Sequence, residues 1–207
     1  MIRKFSPPAE GDRVLDIGCG SGVIADVLAS MGATTTGIDA NPAAVEYARQ
    51  TFRRSNLDFR LGLIEEIEFP DGTVDGVYCL ELIEHLYEPQ VRELFSTVHR
   101  LCRAGGTFTI TTPNYSGVWP FVERFLDTLR LVPRLEGAQH VTRFTRERLQ
   151  RLLEETGWRV DVMTTFSTLA PFVSVLGWQL AERVAAVEDD LDFRFGSILF
   201  AVARKTE

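Results

Sequence analysis

The sequence predicts an α/β domain built on a mostly parallel sheet with helices on both faces. Two observations support this fold class. Short β-prone runs alternate along the chain with segments of helical periodicity, and glycine-rich connections join them. The composition fits one globular domain over residues 1–207, with 45% hydrophobic and 25% charged residues. Ligands of such sheets bind beyond the carboxyl ends of the strands, so candidate site residues are sought there.

Charge and cysteine content narrow the class of partner and the compartment. The formal net charge of −7 argues against nucleic acid as the main partner. The three cysteines lack metal or CxxC spacing, which favours a reduced, cytoplasmic setting. The chain shows no signal-peptide core, and no apolar run reaches the ~18 residues that a membrane span needs.

The first element pair lies in Val14–Ala25, which reads VLDIGCGSGVIA. A buried strand runs into a glycine turn, and the turn leads into a helix. The glycines have G-x-G-x-G spacing, whereas a dinucleotide-binding turn would place its third glycine at Val23. Asp16 precedes the turn, where a carboxylate would repel a pyrophosphate but attract an ammonium group.

The segment D-I-G-C-G-S-G resembles motif I of the class I S-adenosylmethionine-dependent methyltransferases. The resemblance implies a Rossmann-like seven-stranded sheet of order 3-2-1-4-5-7-6 with the last strand antiparallel. It also implies that the turn cradles the amino-acid end of S-adenosylmethionine, whose product is S-adenosylhomocysteine. The turn residues assigned to this cofactor are Asp16, Gly18, Cys19, Gly20 and Gly22. The alternative is a generic glycine turn between a strand and a helix.

A second strand is predicted over Thr34–Ile38, followed directly by Asp39 and Ala40. An acidic residue there is placed to accept hydrogen bonds from ribose hydroxyls. The alternative is that Asp39 caps the helix predicted over Pro42–Arg54. We favour Asn41 as the cap and Asp39 as the ribose ligand.

A third strand, Leu57–Leu61, leads to L-G-L-I. Members of the family often carry an aspartate after this glycine, where it meets the adenine amino group. This chain has Leu63 instead, so we expect apolar walls and backbone groups near Leu63 and Ile64 to hold the adenine.

The fourth strand, Val74–Leu80, enters the segment E-L-I-E-H-L. The family resemblance places Leu80 and Glu81 beside the methionine part of the cofactor. It places His85 between cofactor and substrate; the alternative is that His85 caps the neighbouring loop.

The remaining regular elements alternate in the same way. A helix over Pro89–Cys102 should stop at Gly105-Gly106, and a fifth strand over Thr107–Thr112 should end at Asn114 on the binding edge. Later come a helix over Arg146–Thr156 capped by Thr145, and two last strands over Trp158–Met163 and Ser197–Ala203.

Two apolar insertions interrupt this pattern, at about residues 115–139 and 165–192. We expect both to be helical. For the first insertion the alternatives are core packing and a cover over the pocket. For the second they are a lid over an apolar substrate, a homodimer surface and a helix in a membrane interface. The lid is favoured, because the second insertion has no lysines to hold a membrane surface.

The string H-V-T-R-F-T, followed by L-x-x-L-L-x-x-x-G, resembles the ubiquinone-biosynthesis-like O-methyltransferases. In that subgroup the histidine lies near the substrate, so His140 is the first candidate for general base and His85 the second. His140 could instead fix its loop by hydrogen bonding. Methyl transfer could also proceed without a base, because positioning can supply much of the rate.

These observations predict a methyltransferase that acts on a small-molecule acceptor, at the hydroxyl oxygen of a partly apolar compound. The alternatives are N- or C-methylation, an NAD-dependent or nucleotide-sugar enzyme, and a non-catalytic cofactor-binding or membrane-associated module. The sequence shows no paired carboxylate and histidine spacing, so no metal site is predicted.

Overall fold

The computed structural model describes residues 1–121, 124, 140–166, 183 and 196–206. The helices are α1 (Ile2–Phe5), α2 (Val23–Ser30), α3 (Pro42–Thr51), α4 (Glu88–Leu101) and α5 (Arg146–Glu155). The strands are β1 (Arg13–Ile17), β2 (Thr34–Asp39), β3 (Leu57–Leu61), β4 (Val74–Leu80), β5 (Cys102–Pro113), β6 (Trp158–Phe166) and β7 (Ile198–Lys205). Two short 3-10 turns follow β3 and β4, over Ile64–Glu66 and Ile83–His85.

The seven strands form one sheet of order β3-β2-β1-β4-β5-β7-β6. The first five strands pair in parallel, whereas β7 runs antiparallel to both β5 and β6. The predicted order and the reversed last strand are therefore confirmed.

The strand register brings the predicted binding edge together. Ile17 at the end of β1 pairs with Ile38 on β2 and with Cys79 on β4. The chain leaves all three strands at this level, so the segments that follow them meet at one edge of the sheet.

Helices pack on both faces of the sheet. The largest hydrophobic cluster includes the buried sides of α4 and α5, among them Phe95 and Leu153. A second cluster joins α2 and α3 to Phe59 on β3, and a third joins Leu28 of α2 to Tyr78 on β4. Among the described helices, none combines the length and apolarity that crossing a bilayer requires.

The start of α3 confirms Asn41 as its cap. The Asn41 side chain accepts hydrogen bonds from the backbone N–H groups of Ala43 and Ala44, and Pro42 occupies the first turn. The helix ends at Thr51, three residues before the predicted end, because Phe52 turns to an extended conformation and packs against the second cluster.

The connection from α4 to β5 differs from the prediction. The helix ends at Leu101, and Cys102 already pairs with Val74 on β4. The register then shifts before Thr107, and Gly105 lies within this irregularity at φ +76°. The glycine pair therefore serves a bulge at the start of β5 and not a helix stop.

Strand β6 runs to Phe166, so residues 165 and 166 belong to the sheet and not to the second insertion. The predictions for most of both insertions, over residues 122–139 and 167–195, fall outside the described residues apart from single positions.

The N-terminal segment forms the short helix α1, which the sequence patterns did not predict. The Ser6 and Thr109 hydroxyl groups lie 2.6 Å apart, and Tyr78 donates a 2.7 Å hydrogen bond to the Ser6 carbonyl. Phe5 also packs against Phe200 on β7, with 5.8 Å between ring centroids. These contacts hold α1 against the sheet.

Gly22 allows α2 to approach its neighbours closely. It lies at φ +85°, and a Cβ atom there would come within 2.8 Å of Ala48 and 2.7 Å of Phe59. Gly11 has nearly the same φ, +83°, but open space at its Cβ position. We expect Gly11→Ala to cost about 1 kcal/mol of unfolding free energy from backbone strain alone. Gly22→Ala should cost roughly 1–3 kcal/mol more, from overpacking.

Urea denaturation of the two variants measures this difference directly. Equal losses for both variants would show that the Ala48 and Phe59 contacts do not constrain the glycine turn.

Candidate active site

The glycine turn after β1 is held by its own backbone. Gly18 and Cys19 donate hydrogen bonds of 2.8 and 3.0 Å to the Ile38 carbonyl, and Gly22 donates to the Cys19 carbonyl. Gly20 lies at φ +51°, and no atom of the described residues comes within 4 Å of the position that its Cβ would occupy. The turn is thus fixed on its inner side and open at Gly20, as a ligand cradle requires.

Asp16 is the most unusual group beside this turn. Its side chain is 2% exposed, and its Oδ2 atom has no hydrogen-bond partner within the described part of the chain. Burial raises the pKa of Asp16 to about 7; the Ala25 backbone N–H opposes this shift and the Asp39 charge adds to it. A buried carboxylate without a partner is costly, so the position favours a ligand that brings a cationic donor. The ammonium group of S-adenosylmethionine fits this requirement.

Asp39 connects the glycine turn to the loop after β2. One carboxylate oxygen accepts a 2.8 Å hydrogen bond from the Gly20 N–H, and the other accepts one from Asn41 N–H. A carboxylate has about four acceptor positions, so capacity remains for ribose hydroxyl groups. The ribose contact itself stays a prediction.

A cavity of about 360 Å³ lies beside Gly18 and Asp39. It contains the predicted adenine-side residues, since Ala40, Leu63 and Ile64 all line it. The Leu63 side chain is half exposed, whereas Ile64 is buried. The Leu63 N–H is already engaged by the Glu66 carboxylate, so the apolar side chains are the more available part of this wall.

The Cys19 side chain does not belong to this cleft. It is buried in the hydrophobic cluster with Val45 and Phe59, behind the turn. Only the backbone of Cys19 is placed to contribute to cofactor binding.

A second cavity, of about 800 Å³, lies on the other side of the end of β4. Leu80 and Glu81 line it, and most of the other lining residues are apolar. Glu81 is the one described non-glycine residue with positive φ, at +51°, and its N–H donates to the Thr111 carbonyl. Such strained backbone is found at functional sites more often than elsewhere.

Glu81 and Glu84 form an acidic pair at this point, in which Glu84 is buried and Glu81 is exposed. Desolvation raises the pKa of both carboxyl groups above the usual range, and the charge of Glu84 adds to the effect on Glu81. Glu84 is 1% exposed and accepts a 3.0 Å hydrogen bond from the Thr112 hydroxyl. His85 provides a basic group beside the pair, because its Nε2 lies 3.9 Å from Glu84 Oε1.

The fold brings the two predicted catalytic histidines together. The ring centroids of His85 and His140 are 5.3 Å apart. The segment after His140 is tied to the turn after β4, because Val141 and Thr142 both donate backbone hydrogen bonds to the Glu84 carbonyl. His140 is buried whereas His85 is half exposed, and neither lines the two cavities described above.

Glu84, His85 and His140 also have the chemistry of a metal site. Each offers one ligand atom, and these atoms lie within 4.8 Å of one another. A carboxylate with two imidazoles suits a divalent first-row transition metal. The sequence predicted no metal site because His140 is remote from the Glu84-His85 pair in the chain. That prediction remains untested.

Two polar residues near the site differ from expectation. Asn114 lies directly after β5, at the predicted edge, but its side chain is buried. Its amide N–H donates to the Gly196 carbonyl, and its amide oxygen accepts from Ser116 N–H. Tyr115, which the sequence did not single out, has its hydroxyl 3.1 Å from His140 Nδ1. Glu84 could have been identified from the sequence, because it stands beside His85 in the segment E-L-I-E-H-L. Nothing in the sequence connects Tyr115 to His140.

The sheet order, the glycine turn and the acidic residues near the ends of β1 and β2 define a class I methyltransferase fold. A family model described as a methyltransferase domain matches residues 1–162. The chain belongs to this family, the class I S-adenosylmethionine-dependent methyltransferases.

Curated relatives agree with this family. The chain is 32% identical over 146 residues to a probable S-adenosylmethionine-dependent methyltransferase of Mycolicibacterium smegmatis, covering 67% of this chain and 55% of the relative. It is 31% identical over 163 residues to the ubiquinone biosynthesis O-methyltransferase of Thiobacillus denitrificans, covering 76% and 68%. The chain spans about half the length of several curated relatives that it matches, the one from Mycolicibacterium smegmatis among them, with shares of 44% to 56%.

A solved structure supports the fold. An S-adenosylmethionine-dependent methyltransferase from Mesorhizobium loti matches with a TM-score of 0.70 at 19% identity, covering 99% of this chain and 95% of that one. At this identity the likeness concerns the fold alone.

We expect Asp16→Asn to stabilise the ligand-free protein at neutral pH. The folded-state pKa of Asp16 is raised from 3.8 to about 7, so ionisation destabilises the fold as pH rises through this interval. The variant should match the wild type near pH 4 and gain a few kcal/mol of unfolding free energy by pH 7, because a tenfold change in an ionisation constant corresponds to about 1.4 kcal/mol.

Denaturation between pH 4 and 8 checks this expectation, with Asp58→Asn as the control because Asp58 is an exposed carboxylate. A pH-independent difference between Asp16→Asn and the wild type would contradict the burial of an unpartnered charge.

Proposed function

We propose that this protein transfers the methyl group of S-adenosylmethionine to a hydroxyl oxygen of a small, partly apolar acceptor. The observation that carries the proposal is the buried Asp16 oxygen, which has no partner among the described residues and lies beside the open Gly20 turn. This unpartnered oxygen favours a cationic ligand group at the place where the family resemblance expects the ammonium group of the cofactor.

The cofactor half of the site follows from these groups. Asp16 accepts a hydrogen bond from the ammonium group, and the open face at Gly20 leaves room for the amino-acid end of the ligand. Asp39 accepts the ribose hydroxyls, and the cavity lined by Leu63 and Ile64 takes the adenine. When bound, S-adenosylmethionine supplies an electrophilic methyl group on a sulfonium sulfur.

The acceptor half is the larger cavity beyond Leu80 and Glu81. Its lining includes the apolar side chains of Ile24, Phe166 and Phe200, which favour a partly apolar compound. Relatives from Methylocella silvestris and Thiobacillus denitrificans, 37% and 31% identical, are named ubiquinone biosynthesis O-methyltransferases. Their names favour oxygen over nitrogen or carbon as the atom methylated.

His140 is the proposed general base, with His85 as its neighbour and second candidate. In this role His140 would take the proton of the acceptor hydroxyl, while the bound cofactor would supply its methyl group to the oxygen and leave as S-adenosylhomocysteine. Glu81 lines the described cavity whereas the histidines do not, so the acceptor's hydroxyl would extend from the cavity past Glu81 to reach His140.

We expect His140→Gln to lower turnover about 10²-fold or more, in line with the loss of a general base, and to leave S-adenosylmethionine affinity unchanged. Turnover can be measured with a panel of phenols and catechols by formation of S-adenosylhomocysteine, and affinity by isothermal titration calorimetry.

The matched control is His99→Gln, because His99 lies on α4 against Trp158, remote from the cofactor residues. Wild-type turnover in His140→Gln would remove His140 as base, leaving His85 or positioning alone. A shift of activity to amines would favour N-methylation.

A second route to the same proton loss is favoured by the arrangement of Glu84, His85 and His140. A divalent cation held by them would lower the pKa of a coordinated acceptor hydroxyl. With His140 as base we expect full turnover after dialysis against EDTA. Loss of turnover that Zn²⁺ or Mn²⁺ restores, with one ion bound per chain, would support the metal route.

The catalytic role, the cellular location and the oligomeric state are each tested by a separate experiment. Cofactor binding with no methylation in a broad metabolite screen would favour a non-catalytic module. Cytoplasmic location and a homodimer are further expectations from the sequence, and a membrane-surface role is not favoured.

A further inference from the structure

We propose that Tyr115 is a positioning residue that holds the His140 ring with Nδ1 engaged, so that Nε2 is the reacting nitrogen. This inference rests on the proposed function, in which His140 takes the acceptor proton. It adds a residue that neither the sequence patterns nor the comparisons assign.

The contact that carries the inference is a side-chain hydrogen bond. The Tyr115 hydroxyl lies 3.1 Å from His140 Nδ1, within hydrogen-bonding distance. The two residues come from different segments, since Tyr115 follows the end of β5 and His140 lies in the loop that leads to α5. Such a bond between remote segments fixes the orientation of the ring as well as its position.

The backbone around both residues is built to keep this contact. The Tyr115 N–H donates a 2.9 Å hydrogen bond to the Phe144 carbonyl, and Asn114 forms a parallel bridge with Phe144. The guanidinium of Arg143 lies over the Tyr115 ring, 5.4 Å from its centroid. The tyrosine is thus placed by its backbone and by its ring.

Two other aromatic rings lie close to the His140 ring. The Trp119 ring lies 5.8 Å from the His140 ring, and the His85 ring lies 5.3 Å from it. Val141 and Thr142 anchor the following backbone to the Glu84 carbonyl. The packing therefore fixes the ring's location, and the Tyr115 oxygen offers an acceptor for a hydrogen carried on Nδ1.

The chemical consequence concerns the tautomer of neutral histidine. To accept a proton at Nε2, the ring must carry its hydrogen on Nδ1, from which it donates to the Tyr115 oxygen. Without that oxygen, the Nδ1–H tautomer loses this partner. The population then shifts toward the Nε2–H tautomer, which cannot act as a base at Nε2.

The test is Tyr115→Phe, which removes one oxygen atom and keeps the ring over which Arg143 lies. We expect kcat to fall about 10- to 100-fold, the usual range for loss of a group that orients a functional histidine. The acceptor's KM, the S-adenosylmethionine affinity and the melting temperature should stay at wild-type values. Tyr87→Phe is the control, because Tyr87 is exposed at the start of α4.

The second readout is the nitrogen-15 spectrum of neutral His140 in EDTA-dialysed protein. The chain has three histidines, so variants at each assign the signals. The wild type should show the Nδ1–H tautomer, and Tyr115→Phe should move the population toward Nε2–H.

An unchanged tautomer in Tyr115→Phe would overturn the inference, as would unchanged kcat. A fall in kcat accompanied by equal losses in melting temperature and cofactor affinity would also overturn it, because Tyr115 would then be only structural. These outcomes are independent of the proposed function: if His140→Gln abolishes turnover while Tyr115→Phe does not, the base stands and the positioning role fails.

Discussion

A buried carboxylate with one oxygen unpartnered in the described part of the chain is the constraint around which the cofactor side of this protein is built. Asp16 lies near the end of the central strand β1, where the sheet excludes water. The protein leaves its Oδ2 unsatisfied and places the open Gly20 turn and Asp39 next to it. The buried charge lowers the folding stability of the ligand-free protein. A bound cationic ligand offsets that loss, which strengthens its binding.

The acceptor side depends on a different interaction, a backbone junction between remote segments. The Glu84 carbonyl accepts from both Val141 and Thr142, which brings His140 beside His85. The same junction gathers carboxylates with raised pKa values and two imidazoles into one small volume. Such a cluster can support either proton transfer or metal binding. Removal of metal ions with a chelator therefore distinguishes the two routes to the loss of the acceptor proton.

The sequence predicted the parts of the structure that local signals determine. Alternating elements indicated the sheet, and Asn41 and Thr145 were found as caps because their side chains act within one turn. Long-range geometry escaped prediction: nothing local places Tyr115 against His140. Gly105 was misread because a glycine pair marks a helix end and a strand bulge equally well.

The central claim is that the notch formed by Asp16, Gly20 and Asp39 binds S-adenosylmethionine. Isothermal titration of the purified protein with S-adenosylmethionine, and separately with NAD, tests it most directly. The account predicts one S-adenosylmethionine site per chain, weakened sharply by Asp39→Ala, and no heat from NAD. Binding of NAD alone, or S-adenosylmethionine affinity unchanged in Asp39→Ala, would contradict it.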